Sequence, residues 1–256
     1  MRKDITTMRN NKKRRILLSF ILDCSSSTEE LVNCFKMALI NSFRKISASD
    51  EMAGVKIYIS ISLFNRDYMP LIEVCPIDDV KLEDLNWKVY GCTDIGNAVI
   101  NAITDGETIY KQWKMDGYEP IHPYYMLVTD GCPDSGEGST EEQQKKVMET
   151  FYESAKIVKS GETRIKANGN IVPDFTFVAV GISGGKYSAN IDLLRKLTNH
   201  PSHVIEIDAS NADDGNSKAY KEIEKTLEDL IEKTTKIAVT PVADQIGEVF
   251  DFDDLF

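Results

Sequence analysis

The sequence has few of the side chains that usually carry acid–base catalysis, because only three of its 256 residues are histidine. Histidine is the side chain whose ordinary pKa lies closest to physiological pH, so general-base chemistry has few candidates. Basic side chains are also in deficit, with 30 Lys and Arg against 41 Asp and Glu and a net charge of -11. This charge balance excludes a broadly basic nucleic-acid-binding surface, and we expect no nucleic-acid partner.

Long apolar runs and paired cysteines are absent as well. No run approaches the roughly 18 apolar residues that a membrane span needs, so we expect no membrane partner. The apolar run 16–22 follows a basic head, but it is short for a secretory signal, and Asp23 stands before Cys24 where a lipoprotein signal needs a small residue. The five cysteines form no Cys-x-x-Cys pair, which favours free thiols and a cytoplasmic location.

Charge is distributed unevenly along the chain. Residues 1–15 carry seven basic side chains and one acidic one, whereas the remaining residues carry 23 basic and 40 acidic side chains, a net charge of -17. We predict a basic N-terminal tail over residues 1–14, one domain over residues 15–238, and an acidic, aromatic C-terminal tail over residues 239–256. The C-terminal tail suits either docking into a groove of another protein or packing on its own domain, and both alternatives stay open.

Strand-like and helix-like segments alternate through the domain. The predicted strands are 15–23, 54–64, 71–74, 123–129, 175–180 and 203–207, and the predicted helices are 28–48, 94–113, 140–158, 190–197 and 218–235. The run 71–74 follows a Tyr-Met-Pro turn and is predicted to pair with 54–64 as an edge hairpin. This order predicts an α/β fold: a doubly wound, mostly parallel central sheet flanked by helices, with one short antiparallel edge strand.

Oxygen-bearing side chains cluster at the predicted carboxyl edge of this sheet, where such folds bind ligands. Asp23, Ser25 and Ser27 follow the first strand, Thr93 precedes the second long helix, and Asp130 follows a buried strand. Hard oxygen ligands select Mg²⁺ or Mn²⁺ over Zn²⁺. We therefore predict a site for Mg²⁺ or Mn²⁺ made of these five residues.

In these three elements the sequence resembles a von Willebrand factor A domain. The Asp-x-Ser-x-Ser pattern, the threonine of Gly-Cys-Thr-Asp and the aspartate of Leu-Val-Thr-Asp-Gly match the family's metal-ion-dependent adhesion site in identity, order and strand context. The resemblance covers about residues 15–235 and looks strongest to the small cytoplasmic bacterial branch that includes TerY-type, tellurium-resistance-associated proteins. Ser26 and Cys92 depart from the glycines that many members carry, without removing a ligand.

The resemblance implies a protein-binding module and not an enzyme. In the family, serine and threonine hydroxyls bind the metal directly, the aspartates often act through water, and a Glu or Asp side chain of the partner completes the coordination. By this resemblance we expect a Mg²⁺-dependent adaptor in a bacterial stress or defence system. The alternative is a hydrolase or phosphoryl-transfer enzyme that uses the same metal to activate water.

Other interpretations of these loops are less favoured. The segment 181–185 is a literal Gly-x-Ser-x-Gly, the nucleophile-elbow pattern of hydrolases, but no acid and histidine follow it in the required arrangement. It is not a phosphate-binding loop, because Val180 stands where the first glycine must be. Helix capping without metal is a structural alternative for the whole set of residues, and it is the favoured interpretation for Asp94.

Three cysteines each lie beside a predicted metal-site residue: Cys24, Cys92 and Cys132. The simpler explanation is that cysteine is a small residue suited to tight loops. The alternative hypothesis is that the thiols cluster near the metal, so that oxidation or a soft cation such as Zn²⁺ disables partner binding.

Overall fold

The computed structural model of the protein describes residues 14–48, 55–162, 174–184, 186–211 and 217–239. Almost all of the two predicted tails, at residues 1–14 and 239–256, lies outside the described residues. The boundaries of the tails and the two alternatives for the C-terminal one therefore stay predictions.

The described chain is built around one sheet of eight strands. The strands are β1 (Arg14–Asp23), β2 (Val55–Phe64), β3 (Tyr68–Pro76), β4 (Glu119–Pro120), β5 (Tyr124–Thr129), β6 (Thr176–Gly184), β7 (Tyr187–Ser188) and β8 (Val204–Asp208). β1 lies in the middle, parallel to both β2 and β5. β6 is parallel to β5 and β8, and β4 adds a short parallel pair at the start of β1.

The apolar run that follows the basic head is confirmed as a central strand. Every residue of β1 from Ile16 onward is buried, as expected for a strand that is covered on both faces. Ile16, Leu18 and Phe20 face one part of the core, whereas Ile21 faces the other. Full burial of each such side chain contributes about 1.5–3 kcal/mol to stability.

Five α-helices cover the two faces of the sheet in the described part of the chain: α1 (Val32–Ser47), α2 (Ile95–Met115), α3 (Glu141–Glu162), α4 (Ile191–Leu194) and α5 (Ser217–Val239). α1 and α5 pack on one face, and α2 and α3 pack on the other. This arrangement confirms the doubly wound α/β fold. None of the described helices is both long enough and apolar enough to cross a membrane.

α2 and α3 approach each other closely at Gly96. A Cβ atom at this position would lie 2.4 Å from the backbone nitrogen of Phe151, which is far inside van der Waals contact. The neighbouring atoms belong to the backbone of α3, so they cannot move aside as a flexible side chain could. Glycine at this position therefore sets the spacing of the two helices.

The predicted turn at Tyr-Met-Pro is wrong, because Tyr68, Met69 and Pro70 are the first residues of β3. The turn lies at residues 65–67, directly before β3, where the side chain of Asn65 accepts a 2.9 Å hydrogen bond from the N–H of Asp67. Proline is tolerated in β3 because an edge strand need not donate every backbone N–H to a neighbour. The resulting β2–β3 pair is antiparallel, as predicted.

Two helix boundaries and one strand pair also differ from the predictions. A 3-10 turn, Ser26–Leu31, precedes α1, so the first helix begins later than predicted. The helix predicted over residues 190–197 is the four-residue α4. A second antiparallel pair joins β7 to β6. This pair could not be predicted from the sequence, because the two residues of β7 carry no periodic signal.

Candidate metal centre

The predicted metal-site residues meet at the carboxyl edge of the sheet. β1 ends at Asp23, which is opposite Phe64 of β2, and Leu22 is opposite Val128 of β5. The loops that leave β1 and β5 therefore start side by side, which brings Asp23 and Asp130 together. This adjacency follows directly from the parallel register of the two strands.

Asp23 is held in one orientation by two hydrogen bonds and is fully buried. Its Oδ1 accepts a 2.8 Å bond from the N–H of Ser25, and its Oδ2 accepts a 2.6 Å bond from the hydroxyl of Thr129. Burial raises the pKa of Asp23, while the bonds from Thr129 and Ser25 act in the opposite direction. The site thus contains a buried carboxylate that is already oriented.

A chain of polar contacts links the first loop to Asp130. The hydroxyls of Ser25 and Ser27 lie 3.1 Å apart, and the Ser27 hydroxyl donates a 2.9 Å hydrogen bond to Oδ1 of Asp130. The other carboxylate oxygen of Asp130 is buried and has no hydrogen-bond partner. A buried carboxylate oxygen without a partner is unfavourable unless a ligand satisfies it.

Thr93 reaches the same place from the loop that precedes α2. It forms an isolated antiparallel bridge with Asp134, with N–O distances of 3.2 and 2.8 Å. A Cβ atom at Gly131 would lie 3.1 Å from the Thr93 hydroxyl, so this hydroxyl faces the loop that carries Asp130. All five predicted residues are therefore brought together, and Ser27 is the exposed one among them.

Capping explains one of the polar residues near the site and not the others. Asp94 caps α2, because its carboxylate accepts a 3.0 Å hydrogen bond from the N–H of Asn97. The capping interpretation of Asp94 is confirmed. Ser25 stands before the 3-10 turn but makes no side-chain capping bond to it.

The electrostatics of the site favour a cation. Burial and, as the second cause, the negative charge of Asp23 raise the pKa of Asp130 to about 7. Two buried carboxylates repel each other, and a bound cation removes the penalty for ionising both. The positive charge of Lys186 lowers the pKa of Asp130 slightly, so it favours the ionised carboxylate as a bound cation would.

The donor set fits a hard divalent cation such as Mg²⁺ or Mn²⁺. It consists of two carboxylates and three hydroxyls, all of them oxygen donors, and it includes the unpartnered oxygen of Asp130. No group of three or more His, Cys, Asp and Glu side chains is placed to hold a metal among the residues described. The candidate site has only two side chains of those types, so it is a site of hydroxyls as much as of carboxylates.

The side chains and backbone groups that support these residues were not among the predicted site residues. Thr129 orients Asp23, and buried Asn65 holds the loop before Thr93 by donating a 3.0 Å hydrogen bond to the carbonyl of Tyr90. The N–H of Ser188 donates a 2.9 Å bond to the carbonyl of Asp130. Thr129 carried a usable signal, because it directly precedes Asp130 at the end of a strand.

The nucleophile-elbow pattern does not form a catalytic arrangement in the described residues. Ser183 lies within β6, and its hydroxyl donates to the carboxylate of Glu206. Nδ1 of His203 lies 3.1 Å from the carbonyl of Phe177. Gly185, the last residue of the pattern, lies outside the described part of the chain. Gly181 has a packing role, because a Cβ atom there would lie 2.4 Å from Cδ1 of Ile191.

The three cysteines beside the site have different surroundings. Cys24 belongs to the hydrophobic core, and burial raises the pKa of its thiol to about 12. Cys92 is buried next to Gly136, whereas Cys132 is partly exposed and its thiol lies 3.4 Å from the carbonyl of Ser188. All three are free thiols, and the hypothesis that oxidation at them disables binding stays a prediction.

Comparison with known proteins gives the fold. No protein-family model matches the chain, and no curated protein sequence matches it. Among solved structures, the chain is similar to a von Willebrand factor type A protein from Catenulispora acidiphila, with a TM-score of 0.50, 13% identity, and coverage of 85% of this chain and 43% of that one. The fold is therefore that of a von Willebrand factor type A domain.

A minor pilin and a pilus adhesin are also similar in structure. The PilB minor pilin of Streptococcus sanguinis matches with a TM-score of 0.55, 11% identity, and coverage of 89% of this chain and 63% of that chain. The pilus adhesin SpaC of Lactobacillus rhamnosus GG matches with a TM-score of 0.51, 12% identity, and coverage of 87% and 31%. The chain spans less than two-thirds of the length of each of these three proteins, and at such identities the likeness shows the fold alone.

Proposed function

We propose that this chain is a metal-dependent protein-binding module. Its proposed site holds Mg²⁺ or Mn²⁺ with Asp23, Ser25, Ser27, Thr93 and Asp130, and it binds an acidic side chain of a protein partner. The observation that carries the proposal is the buried, unpartnered oxygen of Asp130, which lies beside a second buried carboxylate and a pair of hydroxyls.

The chain's own residues have distinct roles in this proposal. Thr129 orients Asp23 through its 2.6 Å hydrogen bond, and the N–H of Ser25 holds the other oxygen of the same carboxylate. Ser25, Ser27 and Thr93 supply neutral oxygens, so they leave positive charge on the metal unneutralised. When bound, the metal supplies a local positive charge and an open coordination position for a carboxylate.

An acidic partner side chain is the group this arrangement suits. Outside its basic head the chain carries a net charge of -17, so an acidic partner is repelled at long range. Attraction must then come from the metal at short range, where it is strongest. Binding is therefore expected to depend strictly on the cation.

The biological context belongs to the proposal as well. The resemblance to TerY-type proteins favours a cytoplasmic adaptor in a bacterial stress or defence system. The similarity in fold to a pilin and a pilus adhesin supports a role in interaction and says nothing of location.

The test is affinity capture from native lysate with the protein in Mg²⁺, the protein in chelator, and the Asp130→Ala variant in Mg²⁺. We expect a partner that is captured only by the unmodified protein in Mg²⁺. Capture of the same proteins in all three conditions would contradict the proposal.

Enzymatic use of the same site has a separate test. The protein is screened against generic phosphate and ester substrates in Mg²⁺, with Asp130→Ala as the control. We expect no turnover above that control. Metal-dependent turnover that the variant lacks would replace the binding proposal with the hydrolase alternative.

A further inference from the structure

Tyr90 is a large, exposed aromatic residue next to the candidate metal centre. Its side chain is 51% exposed. The other large exposed hydrophobic residues in the described part of the chain are Met115, at the end of α2, and Tyr152, on α3. Of the three, Tyr90 is the one that the loops of the site hold in place.

The position of Tyr90 is set by contacts with the site itself. Its N–H donates a 2.9 Å hydrogen bond to the carbonyl of Cys24, the residue after Asp23, and its carbonyl accepts the bond from Asn65. Its hydroxyl lies 3.4 Å from the sulfur of Met69, at the start of β3. The ring thus lies on the β3 side of the site, next to a second apolar side chain, and is oriented before any partner arrives.

The opposite side of the site is charged. Lys186 pairs with Glu30 at 2.6 Å, and the hydroxyl of Tyr220 also donates to Glu30. The N–H of Ser188 binds the carbonyl of Asp130, which places this charged cluster against the Asp130 loop. The site therefore has an apolar side at Tyr90 and a polar side at Lys186.

We propose that the ring of Tyr90 is a specificity-determining contact for the partner segment that supplies the carboxylate. This inference rests on the proposed function. Tyr90 stands three residues before Thr93, so the Cα atoms of the two residues lie at most about 11 Å apart. An extended segment rises about 3.3 Å per residue, so the partner segment fits if an Asp or Glu lies within about four residues of an apolar side chain. Tyrosine is enriched among residues that dominate binding energy, because it offers a large contact area for little loss of conformational freedom.

An apolar contact at Tyr90 would help to offset charge repulsion between the domain and an acidic segment. An acidic segment is repelled by the acidic body of the domain, so the metal contact alone must offset the repulsion. An apolar contact beside the metal adds affinity that salt does not screen. It also discriminates among acidic segments, which the metal alone would bind alike.

The test uses a display library of random twelve-residue peptides, selected on the full chain in Mg²⁺ and eluted with chelator. We expect the eluted peptides to share an acidic residue and, within four positions of it, an apolar one. Selected peptides are then titrated against Tyr90→Ser, Tyr90→Phe and Tyr152→Ser. Tyr152, at 44% exposed, is the matched control.

We expect Tyr90→Ser to weaken peptide binding by about tenfold, while Tyr90→Phe and Tyr152→Ser stay within about twofold of the unmodified protein. Peptides that need chelator for elution but share no apolar position, or that bind Tyr90→Ser unchanged, would overturn the inference and leave the proposed function standing. Selection that yields no chelator-sensitive peptide would contradict the proposed function and the inference together.

Discussion

Neutralising Asp130 should stabilise the metal-free protein. A pKa of about 7, against an ordinary value of 3.8, means that at pH 8 the ionised carboxylate of Asp130 lowers the free energy of unfolding by about 4 kcal/mol relative to a group with an unshifted pKa. The variant Asp130→Asn removes this penalty but places an amide N–H₂ where the buried oxygen has no partner, which costs about 1–3 kcal/mol. The expected net gain is about 1–3 kcal/mol in the free energy of unfolding.

The gain should depend on pH in a defined direction. Because burial raises the pKa of Asp130 in the folded state, the folded protein binds the proton more tightly than the unfolded chain between pH 4 and 7. The contribution of Asp130 to the stability of the metal-free protein therefore becomes less favourable as pH rises through this window, and the variant lacks this contribution. We expect the stability difference between the two proteins to grow by about 2.5 kcal/mol from pH 5 to pH 8.

Urea denaturation in chelator, at pH 5, 6.5 and 8, measures this difference. A second series in Mg²⁺ should stabilise the unmodified protein and leave Asp130→Asn unchanged, because a ligand that binds only the folded state stabilises it. If the variant is no more stable at pH 8, or if the difference does not change with pH, the reasoning about buried charge at this site is refuted.

Three other substitutions probe separate parts of the structure. Thr129→Val removes the hydrogen bond to Asp23 and should destabilise the protein by about 1–3 kcal/mol in urea denaturation, and no loss would show that the bond is unimportant. Burial lowers the pKa of His203 to about 4, so this side chain lowers the free energy of unfolding by about 2 kcal/mol as pH falls from 7 to 5. In urea denaturation, His203→Gln should remove this loss of stability, whereas the effects of nearby Glu162 and His200 remain in both proteins. Gly96→Ala should lower the melting temperature through a clash with α3 worth about 1–3 kcal/mol, and an unchanged melting temperature would contradict the close approach.

The fold could be predicted from sequence because its elements have strong periodic signals. β1 is a continuous apolar run, and α1 has apolar residues at helical spacing, so their types are predictable even where their ends are not. The error at Tyr68–Pro70 arose because proline signals a turn in most contexts but is compatible with an edge strand. β7 and the 3-10 turn after Ser25 are too short for any periodicity to show.

The proximity of the five candidate residues could be predicted from the sequence, but the orientation of their side chains could not. Parallel strands bring their carboxyl ends to one edge, so Asp23 and Asp130 were expected to meet. The hydrogen bond from Thr129 and the unpartnered oxygen of Asp130 depend on side-chain orientation, which sequence does not encode locally. The exposure of Tyr90 is likewise a property of how the loop packs on Asn65.

The most direct test of the central claim is a titration with Mn²⁺ that measures the free ion by electron paramagnetic resonance. Ser27→Ala removes a proposed ligand, and Ser26→Ala is its matched control, because the neighbouring hydroxyl lies 3.5 Å from the carbonyl of Gly91 instead. The account predicts saturable binding by the unmodified protein, a loss of about tenfold or more in Ser27→Ala, and an affinity within about twofold in Ser26→Ala. Absence of saturable binding, or equal affinities for the two variants, would contradict it.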